Sequence, residues 1–345
     1  MLLQDLFKFP IVQGPMAGGA TTPALVAGVS NAGGLGSLAA SLLSPSVMRD
    51  QAAIIRSMTT QPFLINLFVL ETPSPSQEDI AEASELLRPL WESLGWDRLS
   101  VPAAWCESFE GQLAALIELR PAAASFTFGI LTPAQVERLH SAGIFVIGTV
   151  TTVDEALAWE TVGADAVIAS GVESGGHRGT FLGPQEEATL SAKALWPLVA
   201  AAVKIPTIAA GAIMTGVDIL EAMSLGAEAV QMGSAFLVCD ESGINQHYRN
   251  ALIHAGDTPT RLTRAFSGRY ARGLENRFMQ EMKAVETRVP AYPVQNALTT
   301  GIRAAAAAKG DTGLMSLWAG ADIRRARPMS VAKLMQTLVA EMRTK

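Results

Sequence analysis

Short apolar segments alternate with amphipathic, helix-like segments along almost the whole chain. Eight of the apolar segments are six to eight residues long, which is within the ordinary length of a β-strand. Because they are continuously apolar rather than alternating, we expect strands covered on both faces, as in a parallel sheet. The eight candidate strands are PIVQGPM (10–16), LGSLAA (35–40), PFLINLFV (62–69), AAASFTFG (122–129), IFVIGTV (144–150), DAVIASG (165–171), PTIAAG (206–211) and AVQMGSAF (229–236).

Helical segments lie between these candidate strands. They open with a Thr or Ser that can cap a helix, and most of them close on Gly; they are TTPALVAGVSNAGG (21–34), SPSVMRDQAAIIRSM (44–58), TPAQVERLHSAG (132–143), TVDEALAWETVG (152–163) and TGVDILEAMSLG (215–226). Eight strand–helix units in succession favour a closed (β/α)8 TIM barrel of the α/β class over an open sheet.

Two stretches interrupt this alternation. Residues 71–121 are too long for one crossover, and they predict one helix over SQEDIAEASELLRPLWESLG and a second near EGQLAALIEL. Residues 237–311 are richer in Arg and polar residues, and we interpret them as a smaller, mainly helical domain inserted after the eighth strand. The predicted barrel therefore comprises residues 1–236 and 312–345, with the inserted domain over its mouth.

Composition narrows the function classes. The chain has 345 residues, 49% of them hydrophobic, and a net charge of −6, which argues against a nucleic-acid partner. Two cysteines are too few for a disulfide scaffold, no apolar run is long enough for a membrane span, and the first residues lack the pattern of a signal peptide. We expect a soluble cytoplasmic protein.

Glycine and small polar residues cluster where the predicted strands end. In a (β/α)8 barrel the site lies at this end, and the loops after the seventh and eighth strands often hold a phosphate. Gly211 and Ala212 precede a helix, and Gly233 and Ser234 follow the eighth strand. Backbone N–H groups in such turns bind anions without a lysine, so these four residues predict a phosphate site.

His177 is the candidate catalytic residue. The chain has four histidines, and His177 follows two glycines at the end of the sixth strand, in ESGGHRG. Histidine is suited to proton transfer near neutral pH. The histidines and carboxylates do not show metal-ligand spacing, so no metal site is predicted.

Several motifs together resemble the nitronate monooxygenases, formerly called 2-nitropropane dioxygenases. In chain order they are QGPMAGG, AGGLGS, SFTFG, ESGGHRG, AAGAI, VQMGSAF, SGRYARGLENRF and LWAG, and the resemblance extends over residues 10–320. The resemblance implies an FMN-dependent barrel enzyme. It implies that FMN contacts Pro15, Met16, Ala17, Asn66, Ser170, Gly175, Gly211, Ala212, Gln231, Gly233 and Ser234.

The resemblance also implies a reaction. His177 matches the active-site histidine of the family, and it would abstract the α-proton of a neutral nitroalkane or hold the anionic nitronate. The nitronate would pass an electron to FMN, and reaction with O2 would yield a carbonyl compound and nitrite. A histidine near its unperturbed pKa suits that role at neutral pH.

Three positions depart from the family pattern. Many relatives have His at Thr127, Gln at Ser170 and Gln at Ala321. Thr127 and Ser170 can still form hydrogen bonds over a shorter reach, whereas Ala321 cannot. Thr127 and Tyr292 are predicted substrate-site residues, although Tyr292 is equally compatible with a buried core position.

Alternative functions remain open at this point. An FMN-dependent enoyl-ACP reductase or an NAD(P)H:quinone reductase would use a similar barrel with a nicotinamide donor. A flavin-binding protein without turnover is the alternative from outside the enzymes. Activity on a nitronate would discriminate among them, and the sequence determines neither the physiological substrate nor the oligomeric state.

Overall fold

Eleven strands form two sheets in the computed structural model, which describes residues 1–343. The larger sheet is parallel and contains β1 (Ile11–Gln13), β2 (Gly36–Ala39), β3 (Phe63–Phe68), β4 (Ala123–Thr127), β5 (Phe145–Val150), β6 (Ala166–Ser170), β8 (Thr207–Ala210) and β9 (Ala229–Met232). The smaller sheet is antiparallel and contains β7 (Gly176–His177), β10 (Thr260–Thr263) and β11 (Ala271–Leu274).

The parallel strands form a barrel. Their order is β1-β9-β8-β6-β5-β4-β3-β2, and a parallel bridge between Val12 and Leu35 joins the two ends of the sheet. At this bridge the Leu35 N–H donates to the Ile11 carbonyl, and the Gln13 N–H donates to the Leu35 carbonyl, each at 2.9 Å. The prediction of eight parallel strands in a (β/α)8 barrel is confirmed.

Helices alternate with the strands and cover the barrel. Most of them begin where a Ser, Thr or Asn side chain accepts a backbone N–H, as Thr22, Thr132 and Thr215 do. The helices are α1 (Pro23–Asn31), α2 (Pro45–Met58), α3 (Gln77–Leu86), α4 (Arg88–Ser93), α5 (Phe109–Leu119), α6 (Pro133–Ser141), α7 (Val153–Thr161), α8 (Ala192–Ala202), α9 (Gly216–Ser224), α10 (Ser234–Leu237), α11 (Gln246–Ile253), α12 (Arg277–Met282), α13 (Val294–Lys309) and α14 (Val331–Arg343).

The single helix predicted over SQEDIAEASELLRPLWESLG is two helices. The first, α3, ends at Leu86, and α4 begins at Arg88 with Pro89 in its first turn. Pro89 has no N–H to donate to the preceding turn, so a continuous helix would lose a hydrogen bond and acquire a steric clash there. The second predicted helix of this stretch is present as α5.

Residues 237–311 contain helices α11 to α13 together with β10 and β11. The two strands were not predicted, and β11 pairs with β7, which places Ala271 opposite His177. A second hydrophobic cluster joins this segment to α4 through Leu90 and Trp91. The division into two domains stays a prediction, whereas the contact between this segment and the barrel end is direct.

No helix within residues 1–343 is long and apolar enough to cross a membrane.

Candidate active site

A cavity of about 500 Å³ lies where the barrel strands end. Its walls come from the loops after the strands and from α13 of the inserted segment. The structure brings together all the residues predicted for the site: Pro15, Met16, Ala17, Asn66, Thr127, Ser170, Gly175, His177, Gly211, Ala212, Gln231, Gly233, Ser234 and Tyr292. Their individual roles stay predictions.

His177 reaches the cavity from the two-residue strand β7. Its backbone pairs with Ala271 of β11, and the Arg178 N–H next to it donates to the Tyr270 carbonyl at 2.8 Å. The Nε2 atom of His177 lies 2.9 Å from Ser267 Oγ. The inserted segment therefore holds the histidine from both its backbone and its side chain.

The charge environment of His177 differs from the sequence-based expectation. Burial, followed by the positive charges of Arg269 and Arg303, lowers the pKa of His177 from 6.5 to about 3. The expectation of a nearly unperturbed pKa was therefore wrong, because it took account neither of the burial of the ring, which is the larger cause, nor of two arginines from distant parts of the chain. At neutral pH the imidazole is uncharged in this environment.

Arg269 and Arg303 are held by neutral groups. The Arg269 guanidinium donates to the carbonyls of Arg178 and Thr180, and it lies 4.1 Å from the centre of the Phe128 ring. Arg303 donates to Asn296 and lines the cavity. Neither arginine forms an ion pair with a described carboxylate, and the positive charge of each acts on His177.

Aromatic rings surround the imidazole. The ring centres of Trp318, Tyr292, Phe128 and Phe68 lie 5.4, 5.5, 5.6 and 6.5 Å from that of His177. Burial raises the pKa of the Tyr292 phenol, so it stays protonated at neutral pH. Apolar walls of this kind exclude water and strengthen the electrostatic contacts inside them.

The turn after β8 has the unusual backbone that an anion site often requires. Gly211 has φ +116° and Ala212 has φ +54°, and residues other than Gly rarely adopt positive φ. Across the cavity, a Cβ added at Gly233 would meet no described atom within 4 Å. The Gly233 turn therefore presents open backbone to the cavity, whereas a Cβ at Gly211 would lie 3.0 Å from Ser174 Oγ, so that turn lines the cavity more tightly.

The N-terminus of α9 is not part of this open surface. The Asp218 carboxylate accepts the N–H groups of Met214 and Thr215 at 2.9 and 2.8 Å, and it is paired with Arg325. A bound phosphate would therefore rely on the turns at Gly211–Ala212 and Gly233–Ser234, rather than on this helix end.

Gly175 serves a close approach of two protein segments. A Cβ at this position would lie 2.5 Å from the Gly320 nitrogen and 2.6 Å from the Ala319 carbonyl carbon. The resemblance implied that Gly175 contacts FMN, which stays a prediction; Gly175 lines the cavity, and its close packing against the LWAG motif by itself requires a residue without a side chain. The adjacent Gly176 has φ +73° and open space around it.

Polar groups are available for a flat heteroaromatic ligand. Asn66 donates to Ser125 Oγ at 2.9 Å, which leaves its side-chain oxygen free to accept, and the buried Gln231 Oε1 has no hydrogen-bond partner among the described residues. Buried polar atoms are normally paired, so an unpaired one beside a cavity indicates a missing partner. Together with the open backbone at Gly233, this arrangement fits a flavin mononucleotide.

The three departures from the family pattern have different settings. Thr127 Oγ donates to Thr149 at 3.3 Å, and Ser170 Oγ donates to Ser174 at 2.9 Å. Both lie on the cavity wall, whereas Ala321 does not, although its neighbour Gly320 does.

Sequence reasoning missed part of the site. The omitted wall residues include Phe68, Phe128, Asn296, Arg303 and Trp318. Phe128 and Trp318 belong to the quoted motifs SFTFG and LWAG. The motifs therefore marked these two residues as important but did not indicate that they pack around His177. Arg303 lies in an alanine-rich helix, and nothing in its local sequence marks it. Within residues 1–343 no three His, Cys, Asp or Glu side chains are grouped so as to hold a metal ion.

Comparison with known proteins gives consistent results. The family model described as "Nitronate monooxygenase" matches residues 1–341. A "Probable nitronate monooxygenase" from Staphylococcus haemolyticus (strain JCSC1435) is 40% identical over 346 residues, which cover 99% of this chain and 97% of that protein. The chain is also similar to two solved structures. Nitroalkane oxidase from Streptomyces ansochromogenes has a TM-score of 0.92 at 40% identity, covering 99% of this chain and 97% of that one. FabK from Thermotoga maritima has a TM-score of 0.76 at 28% identity, covering 99% and 95%.

Proposed function

Because the chain belongs to the nitronate monooxygenase family, whose members are flavin-dependent oxidoreductases, we propose that it uses FMN to oxidise alkyl nitronates with O2. The products of the proposed reaction are a carbonyl compound and nitrite. Similarity to a nitroalkane oxidase at 40% identity, against 28% for FabK, favours nitro compounds as the substrate class.

The proposed FMN site uses the open parts of the cavity. The turns at Gly211–Ala212 and Gly233–Ser234 would hold the phosphate, and the side chains of Asn66 and Gln231 would contact the ring. Residues 15–17 would lie along the ring. When bound, FMN supplies the acceptor for the electron that leaves the substrate.

His177 is the proposed proton acceptor, and its position carries this role: its ring lies on the cavity wall, and its described hydrogen-bond partner is the uncharged Ser267 hydroxyl. Burial and two nearby arginines lower its pKa, so that the imidazole is neutral there. A neutral imidazole cannot hold an anionic nitronate by charge, but it can accept the α-proton of a neutral nitroalkane. Proton transfer leaves a negatively charged nitronate beside the positively charged imidazolium. This opposite charge favours the protonated form of His177 and so offsets its low pKa. Neutral nitroalkanes would therefore be substrates together with nitronates.

The direct test is the absorbance spectrum of the purified protein without oxygen. We expect a bound flavin that is reduced when propionate 3-nitronate is added, seen either as bleaching or as the spectrum of the one-electron-reduced form, and that NADH leaves unchanged. Bleaching by NADH alone would contradict the proposal and would support a nicotinamide-dependent reductase, to be tested with quinones and enoyl thioesters.

A variant separates the role of His177 from flavin binding. His177→Asn is expected to retain its flavin and to lose activity on neutral nitroalkanes by roughly 100-fold or more, the usual contribution of a general base. Activity on a preformed nitronate should fall much less. Undiminished oxidation of neutral nitroalkanes would show that another group accepts the proton.

A further inference from the structure

Ser267 is the hydrogen-bond partner of the His177 ring. The two residues lie ninety positions apart, and Ser267 Oγ is 2.9 Å from Nε2. Ser267 is 1% exposed, so water does not compete for this hydroxyl. The contact is therefore shielded from solvent, and the neighbouring donors and acceptors determine where its hydrogen lies.

The Ser267 hydroxyl has one hydrogen and two acceptor lone pairs. Its Oγ lies 3.0 Å from the carbonyl oxygen of Arg269, which can only accept, so the hydroxyl hydrogen is directed there. The Arg269 N–H approaches the same Oγ from 3.4 Å and takes one lone pair. The second lone pair of Ser267 Oγ therefore faces His177, and the hydrogen in the contact between the two residues must come from Nε2.

We propose that Ser267 is a positioning residue that holds His177 in the tautomer protonated at Nε2, leaving Nδ1 as the nitrogen that accepts the substrate proton. No described residue forms a hydrogen bond with Nδ1. The inference rests on the proposed function. In that step the C–H bond of the nitroalkane breaks, its electron pair stays on the substrate as the nitronate, and the proton moves to Nδ1.

The segment that carries Ser267 is held by buried side chains of α13. Thr299 donates to the Phe266 carbonyl at 2.5 Å, and Gln295 donates to the Ala265 carbonyl at 2.7 Å. Both side chains are completely buried. The hydroxyl of Ser267 is thus fixed by the inserted segment before any substrate binds, which is the arrangement that a tautomer-selecting contact requires.

The tautomer can be observed in the unmodified, flavin-loaded protein. Nitrogen-15 NMR of histidine-labelled protein distinguishes a ring nitrogen that carries hydrogen from one that does not, and His177→Asn identifies the signals of this residue among the four histidines. We expect hydrogen on Nε2 and none on Nδ1. The reverse assignment, or an even mixture of the two tautomers, would overturn the proposal.

The second test is kinetic. Ser267→Ala is expected to lower kcat/KM for neutral nitroalkanes roughly five- to tenfold, the effect of one hydrogen bond of ordinary net strength. The rate at which this variant oxidises a preformed nitronate should stay within twofold of the wild-type rate, which is about the uncertainty with which mutational effects are measured. Equal losses on both substrates, or no loss on either, would count against a tautomer-selecting role.

Ser30→Ala is the matched control. Ser30 is also 1% exposed, donates to the Pro62 carbonyl at 2.8 Å and accepts the Gly36 N–H at 3.2 Å, but it does not line the cavity. It should leave the ratio of the two activities unchanged. If His177→Asn kept full activity on neutral nitroalkanes, the proposed base would be wrong, while the NMR signals would still report whether Ser267 selects the tautomer.

Discussion

At the level of single residues, His177 is neutral because of its surroundings. Its ring is packed among aromatic side chains, its hydrogen-bond partner is an uncharged hydroxyl, and two arginines without carboxylate partners lie nearby. Each of these features disfavours the imidazolium. A carboxylate partner would have the opposite effect, and none of the described carboxylates is bonded to this ring.

The pH dependence of activity should show this directly. With the pKa of His177 lowered to about 3, the base stays unprotonated from about pH 5 to pH 8, so kcat/KM for a neutral nitroalkane should be flat over that range. Activity should fall only as the pH approaches the lowered pKa, since protonation removes the acceptor. The measurement is a pH profile of initial rates, and a decline with a midpoint near 6.5 would contradict it.

Gly233 offers a test of the proposed phosphate site. Gly233→Asp places a carboxylate where a bound phosphate would lie, and repulsion between like charges at about 4 Å should weaken FMN binding roughly ten- to hundredfold. Gly233→Ala is the steric control, because a Cβ there meets no described atom within 4 Å. Flavin content after purification and FMN titration measure the effect. Equal affinity in the two variants would place the phosphate elsewhere.

Residue-scale prediction from sequence succeeded where the signal is local. A glycine turn after a strand, or a histidine after two glycines, is visible within a few positions, and these residues do lie on one cavity. Ser267 opens the quoted motif SGRYARGLENRF, but the motif does not reveal its role, and Arg303 carries no local mark at all. The importance of both arises from contacts with His177 and its cavity across long chain separations. Composition and periodicity contain no information about those contacts.

At the level of elements, the loop after β7 is tied to α7 by a buried carboxylate. Glu155 is completely buried and accepts the Thr151 N–H at 2.6 Å, the Thr151 hydroxyl at 2.9 Å, the Leu182 N–H at 2.9 Å and the Phe181 N–H. Four donors converge on two oxygens, so the charged carboxylate is well satisfied. This contact fixes the loop at Phe181 and Leu182, shortly after His177.

Glu155→Gln should therefore destabilise the protein. The amide group that replaces one oxygen faces N–H donors, and leaving buried donors unpaired costs about 2–4 kcal/mol of unfolding free energy. Glu160→Gln is the control on the same helix, because Glu160 also accepts loop N–H groups but is only half-buried. Urea unfolding measures both variants, and similar losses would show that the burial of Glu155 adds nothing.

Elements differ in how readily the sequence reveals them. The eight barrel strands are continuous apolar runs, and each was predictable from its own residues. The strands of the smaller sheet are two to four residues long and contain His177, Arg261 and Arg272, so they have no apolar pattern. They form because β11 pairs with a neighbour on each side, which is a property of the assembled fold.

At the level of the whole molecule, the cavity is built jointly by the barrel and by residues 237–311. Met16 of the barrel end packs against both principal hydrophobic clusters. Helix α13 supplies Arg303 to the cavity, and the loop after β9 supplies Gly233. The two parts therefore share the walls of one cavity as well as apolar contacts.

Unfolding should accordingly be one transition that depends on flavin. At a free FMN concentration 100 times the Kd, the folded state gains about 2.7 kcal/mol if only that state binds. Calorimetry with increasing FMN is expected to show a single peak whose Tm rises. Two peaks, of which only one moves, would show that the inserted segment unfolds independently.

The closure of the barrel has a consequence for how the chain is made in a cell. Strand β1 pairs along its length only with β9, so Ile11 must wait for Val230, more than two hundred residues later, and its contact with β2 is a single bridge. At a translation rate of 5–20 residues per second, that delay is roughly ten to forty seconds. Strands that pair in the order in which they are made would leave two unpaired, apolar edges during this time, and we expect the yield of the protein to depend on chaperones that bind nascent polypeptides.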